Sequence, residues 1–212
     1  MALASQTTPT DAEAALGVSG ASAVLSRLLP VVILVALMWA VRVVDVVVPA
    51  DFNENGIVPR RVSGLDGIIW APLLHVSFGH LIANTVPTSV LGALIAVRDR
   101  TRFVVVAALS TFGSGIGVWA VAPSRTVTVG ASGLAFGLLG YLVARGLFDR
   151  TLVSILIGLG ALLFYGGMLF GVLPNRAGVS WQAHLFGLLA GVAAAAMLDR
   201  RPDRRRGIAT TT

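Results

Sequence analysis

Two kinds of residue in this chain could do chemistry: a serine between glycines, and three histidines. Ser132 stands in Val129-Gly130-Ala131-Ser132-Gly133, at the mouth of the apolar, small-residue-rich stretch Leu134-Ala-Phe-Gly-Leu-Leu-Gly-Tyr141. Gly130 and Gly133 permit a tight turn and a close approach by another backbone or a substrate. A helix N-terminus offers unpaired N–H groups and partial positive charge, which favour a developing oxyanion. Two uses of Ser132 are therefore open: capping a helix, or presenting its Oγ as a nucleophile. The histidines are His75, His80 and His184. His80 and Asn84, four residues apart, share one helix face.

The chain has 212 residues, 56% hydrophobic and 12% charged, with mean hydropathy +0.85. That composition belongs to a membrane protein. There is no cysteine, which excludes thiol catalysis and disulfides, and all sixteen basic residues are arginine, which excludes Ser–Lys and Schiff-base chemistry. The net charge of +6 does not point to nucleic acid, because the arginines punctuate apolar segments as topology signals do.

A spanning helix needs about 20 mostly apolar residues. Six segments qualify as candidates, at 24–45, 80–97, 103–121, 131–147, 152–173 and 182–198. The expected fold is all-α, a polytopic bundle of six transmembrane helices over residues 22–199. Residues 1–21 are polar and Ala/Thr/Ser-rich and read as a disordered cytoplasmic tail; 200–212 read as a basic cytoplasmic tail against anionic headgroups. With both termini inside, eleven arginines lie on the inner side and five on the outer, the distribution that the positive-inside rule selects. The 46–79 linker carries Pro49, Pro59 and Pro72 among scattered apolar residues and reads as an interfacial segment sunk in the outer leaflet.

This topology sets Ser132, His184, His80 and Asn84 at one depth on the outer side. Polar groups there are costly and point to a shared site, although a histidine can also be satisfied by a carbonyl and an asparagine can join helices. Ser132 and His184 make a nucleophile and a general base, with His80, Asn84 and the Ser132 N–H as oxyanion donors. No acidic residue stands near, so the arrangement is a dyad. No metal site is expected: there is no His-Glu-x-x-His and no carboxylate beside the histidines. The stripe His184, Gly187, Gly191 in the last segment faces the glycines Gly133, Gly137 and Gly140 of the fourth, and close packing of these faces would bring imidazole and hydroxyl together.

These residues resemble the rhomboid intramembrane serine proteases. The resemblance rests on His75-Val-Ser-Phe-Gly-His80-Leu-Ile-Ala-Asn84, on Gly130-Ala-Ser132-Gly133, and on Ala183-His184-Leu-Phe-Gly187-Leu-Leu-Ala-Gly191, in that order, within about residues 24–198. It implies Ser132 as nucleophile, His184 as base, His80 and Asn84 as oxyanion donors and His75 in support. It implies a partly embedded hairpin in the first loop, and gating of lateral substrate access by the fifth helix with the 174–180 loop. Where family members often carry a tyrosine under the imidazole, this chain has Phe136, and the Trp-Arg pair of the first loop is absent, leaving Pro59-Arg60-Arg61. The implied activity is cofactor-free hydrolysis of peptide bonds in or beside transmembrane helices of membrane-protein substrates, in a bacterial inner membrane. The alternative is a catalytically silent member of the fold that binds membrane helices as an escort. A small transporter is disfavoured, since no internal duplication is visible.

Overall fold

The computed structural model describes residues 11–174 and 178–200, with side chains from Ser22 onward. Among the described residues there are seven α-helices and no strand. They are α1 (Asp11–Val47), α2 (Gly67–Trp70), α3 (Phe78–Ala96), α4 (Arg100–Val121), α5 (Ser132–Asp149), α6 (Leu152–Tyr165) and α7 (Trp181–Asp199). Among the described residues five apolar stretches are long enough to cross a bilayer: Ser22–Val47, Phe78–Ala96, Arg100–Val121, Leu152–Val172 and Trp181–Asp199. The protein is an integral membrane protein. Its outward surface is correspondingly apolar, with Leu163 and Phe164 each 80% exposed.

The expectation of six spanning helices needs adjustment at α5, which falls outside the set of long apolar spans. It carries Arg145, Asp149 and four glycines, and most of its surface is covered by its neighbours, from Gly133 to Leu142 without a break. A helix sheathed by other helices does not need an apolar face toward lipid, so hydropathy under-reports it. Two further boundaries differ. First, α1 begins at Asp11, so 11–21 is helical and only 1–10 of the stretch read as a tail lies outside the described residues. Second, the fifth segment is α-helical only to Tyr165 and continues as 3₁₀ turns over Gly166–Val172. The 201–212 part of the basic tail and residues 175–177 of the last loop lie outside the described residues.

Helices α5 and α7 form the tightest pair. A Cβ built at Gly187 would overlap the Gly133 carbonyl oxygen, and one at Gly191 would overlap the Gly137 carbonyl oxygen. From the other side Ser114 and Ser110 of α4 press on Gly133 and Gly137, and Ser114 Oγ donates to the Ala183 carbonyl at 2.9 Å. In lipid no hydrophobic force drives helices together, so this backbone-to-backbone fit carries much of the association. At the opposite end of the same three helices, Asp199 accepts from Tyr141 Oη at 2.8 Å and pairs with Arg102 and with Arg145, the latter at 3.3 Å. The α4–α5–α7 unit is therefore fixed at both ends.

Helix α6 is held differently. Thr151 caps it, and Asp149 accepts from the Thr151 N–H and from Ser154 Oγ. Gly146 and Gly158 let the first turns of α6 lie on α5, where a Cβ at Gly158 would stand 2.9 Å from the Leu142 carbonyl oxygen. Its buried residues are Ser154, Gly158 and Ala161, all before Leu162; the 3₁₀ stretch has none.

The first loop is more ordered than its composition indicates. It holds 3₁₀ turns at Phe52–Asn55, Val62–Gly64 and Ala71–Leu73 around the short α2. Ile57, Ile68 and Ala71 bury against Val118 and Ala122 of the α4 end and Ala183 of α7. An antiparallel bridge between Ile57 and Thr128 ties the loop to the strand-like run before Ser132. Arg60 adds bonds to the Ala120 carbonyl and Ser124 Oγ.

Candidate active site

The helix that begins at Ser132 takes Ala131 as its N-cap, and no side chain caps it. The capping use of Ser132 is thereby set aside. Its Oγ instead lies 2.9 Å from Nε2 of His184, in the first turn of α7. The other ring nitrogen, Nδ1, is 2.9 Å from the backbone carbonyl of Gly171. A carbonyl oxygen can only accept, so Nδ1 carries the proton and Nε2 presents a lone pair to the serine hydroxyl. The Phe136 ring lies flat against the imidazole, with centroids 4.1 Å apart and planes 5° from parallel. Stacking and the Gly171 bond together fix the plane and the tautomer of His184. Gly171 was not singled out in the sequence, because a backbone acceptor has no side-chain signature.

Across the opening, α3 delivers His80 and Asn84. Ser77 caps that helix by accepting from the His80 N–H at 3.1 Å. Asn84 is buried and its Nδ2 has no hydrogen-bond partner among the described residues. A buried amide without a partner is costly, and this one points to a group supplied from outside. Gly130 explains how the two side chains reach the serine: its φ of +113° is open to glycine, and a Cβ there would sit 2.6 Å from His80 Cε1 and 3.3 Å from Asn84 Nδ2. Its N–H donates to the Ala71 carbonyl at 2.8 Å, which pins the turn on the first loop. Ser132, His184, His80 and Asn84 line one cavity of about 660 Å³, walled by Val127–Val129 on one side and by Val179, Trp181 and Gln182 on the other.

His75 is not in that cavity wall. It is fully buried behind His80, with ring centroids 5.0 Å apart, and its Nδ1 faces the Leu73 carbonyl at 3.3 Å. Burial, reinforced by the neighbouring His80, pushes its pKa down to about 4, so the ring is neutral at ordinary pH. Gly133, Gly137, Gly187 and Gly191 make the helix contacts described above and do not line the cavity. Among the described residues no group of three or more His, Cys, Asp or Glu side chains is placed to hold a metal.

A polytopic helical membrane protein with a hydrogen-bonded serine and histidine lining one cavity is the class that this fold and geometry define. Residues 63–201 match the family model described as Rhomboid domain, and the chain belongs to the rhomboid family. An uncharacterized protein of Mycobacterium tuberculosis is 42% identical over 179 residues, covering 81% of this chain and 74% of the relative. An uncharacterized protein of Mycobacterium leprae is 40% identical over 178 residues, covering 80% and 70%. A Bacillus subtilis protein named "Putative rhomboid protease YdcA" is 32% identical over 141 residues, covering 63% of this chain and 67% of the relative.

Proposed function

We propose that the protein is an intramembrane serine endopeptidase that cuts membrane-protein substrates in or beside their transmembrane helices. The observation that carries this reading is the Ser132 Oγ–His184 Nε2 contact of 2.9 Å, with Nδ1 engaged by a backbone carbonyl. Ser132 Oγ attacks the scissile carbonyl carbon while His184 Nε2 takes its proton. The carbonyl oxygen becomes an oxyanion and is met by Asn84 Nδ2, His80 and the Ser132 N–H, whose helix position leaves it without an intrahelical acceptor. The C–N bond then breaks, and the imidazolium returns its proton to the leaving amine. A water, deprotonated by His184, releases the acyl group from Ser132 by the same route in reverse order. The dyad residues belong to the chain itself, so no cofactor takes part.

A spanning helix has all its amides paired, so a substrate must unwind before its carbonyl reaches Ser132. Segments with small or helix-destabilising residues near the site side of the membrane are the preferred class. The bundle is the six-helix form, with α5 as the sixth, sheathed span; both termini are cytoplasmic and the cavity opens to the outer side of a bacterial inner membrane. Labelling of the detergent-solubilised protein by a fluorophosphonate probe, together with cleavage of a model transmembrane substrate, tests the reading. Both are expected in the parent and absent in Ser132→Ala. Cleavage that survives in Ser132→Ala, or a parent that binds helices without labelling, overturns it.

A further inference from the structure

We infer that Gly171 is a positioning residue for the base, and that it makes the α6 end a conformational switch for His184. This rests on the hydrolase reading above. Three observations meet at this residue. Its carbonyl is the acceptor for His184 Nδ1 at 2.9 Å. A Cβ at Gly171 would stand 2.8 Å from Nδ1 and 3.1 Å from Phe136 Cζ, so the backbone is seated directly against the stacked pair. And Gly171 lies on the 3₁₀ turns Gly166–Val172, which bury no residue fully, expose Phe170 by 65% and rest on the core through the half-buried Met168 and Leu169.

The two nitrogens of a neutral imidazole share one proton, so the partner of one decides the role of the other. While Gly171 is in place, Nδ1 keeps the proton and Nε2 is a base toward Ser132. When the 166–172 segment moves off the bundle, His184 Nδ1 loses its Gly171 acceptor. The imidazole is then free to place its proton on Nε2, where it cannot accept from the serine. Segments with few buried contacts open at low free-energy cost, and lids of this kind complete a catalytic constellation only on closing. The dyad is thereby competent when the segment is closed and idle when it is displaced. A substrate helix that pushes past α6 meets an inactive serine until the segment settles back.

The test reads the proton on His184 directly. In the full-length protein labelled with ¹⁵N-histidine, the His184 resonances should report a protonated Nδ1 and an unprotonated Nε2 in the parent. Gly171→Ala should shift them toward the other tautomer and slow fluorophosphonate labelling at least tenfold. Gly167→Ala is the control on the same segment, since a Cβ there meets nothing within 4 Å; it should match the parent in both measurements. Met168→Ala, which thins the packing of the segment on the core without replacing Gly171, should speed amide hydrogen exchange over 166–172 and move the His184 signal part of the way. A parent that already carries the proton on Nε2 overturns the inference. So does Gly171→Ala with parental signals and labelling, or Met168→Ala with faster exchange and an unmoved His184 signal. Loss of labelling in the parent would strike the hydrolase reading alone, because the tautomer is measured without turnover.

Discussion

Gly191 of α7 rests on the carbonyl oxygen of Gly137 of α5 so closely that a methyl group has no space between them. Gly191 is seven residues from His184, about two turns or ~10 Å of helix rise, and makes no contact with the site. Gly191→Leu must push the helices apart or distort them, and overpacking costs roughly 1–3 kcal/mol. Displacing the base by even about 1 Å costs around 100-fold in rate. The variant should insert, unfold at lower temperature and lose most of its cleavage activity. Ala193→Leu, on an exposed position of the same helix, should do far less. Equal activity in the two variants would show that the α5–α7 fit does not set the geometry of the dyad.

His184→Ala should lose as much cleavage activity as Ser132→Ala, because neither member of a dyad works alone. Side-by-side rates on one transmembrane substrate, with folding checked by thermal unfolding, decide it. A well-folded His184→Ala that keeps near-parental turnover would remove the imidazole from the mechanism.

Asn84→Ala removes a buried amide whose Nδ2 has no partner among the described residues. Since His80 and the Ser132 N–H remain, the loss should be about 10–1000-fold, with kcat falling more than KM rises. Stability should hold or increase, because an unsatisfied polar group is taken out of the interior. A variant that is less stable and equally active would assign Asn84 to packing.

His75 gives the protein an acid-sensitive element. Its ordinary pKa of 6.5 is lowered to about 4 in the fold, first by burial and then by the charge of His80. Below 6.5 the unfolded chain gains a proton that the folded one refuses, so stability is full above that value and falls as the pH drops toward 4. The lost stability is on the order of 3 kcal/mol. From pH 7 to pH 4 the thermal unfolding temperature should fall more steeply in the parent than in His75→Phe. Parallel curves would mean that His75 titrates alike in both states.

The proposed orientation, drawn from the arginine distribution, has both termini in the cytoplasm. A reporter active only in the cytoplasm, fused after Thr212, should be active, and one that works only outside should be silent. The reverse result would mean an odd number of spans or an inverted bundle, and either overturns the proposed orientation.

Much of this arrangement is legible in the amino-acid sequence, and the reasons differ from element to element. The ranges 80–97, 103–121 and 182–198 fall close to α3, α4 and α7, because a helix that must cross lipid announces itself by length and apolarity. Ser132 and His184 stand out because a hydroxyl and an imidazole are expensive at that depth. What stays hidden is what tertiary contact alone produces. The four-residue α2 has no periodicity to read; it forms where Gly67 lies against the Gly56 carbonyl and Ile68 enters the cluster with Val118. The start of α1 at Asp11 is missed because hydropathy marks the lipid-crossing part of a helix and is blind to its polar extension. Gly171 is silent for a third reason: its contribution is a carbonyl, which every residue has.

The root of α6 is packed and capped, while its far end carries no buried side chain. Mechanically it is a rod clamped at one end and resting on the bundle at the other through Met168 and Leu169. From Leu152 to Val172 the rod is on the order of 30 Å long, so a tilt of roughly 2° at Thr151 carries its tip by about 1 Å. That is the scale on which a hydrogen bond such as the one at Gly171 is made or lost. Angular play too small to disturb any helix contact at the clamp is therefore large enough to be felt at the imidazole.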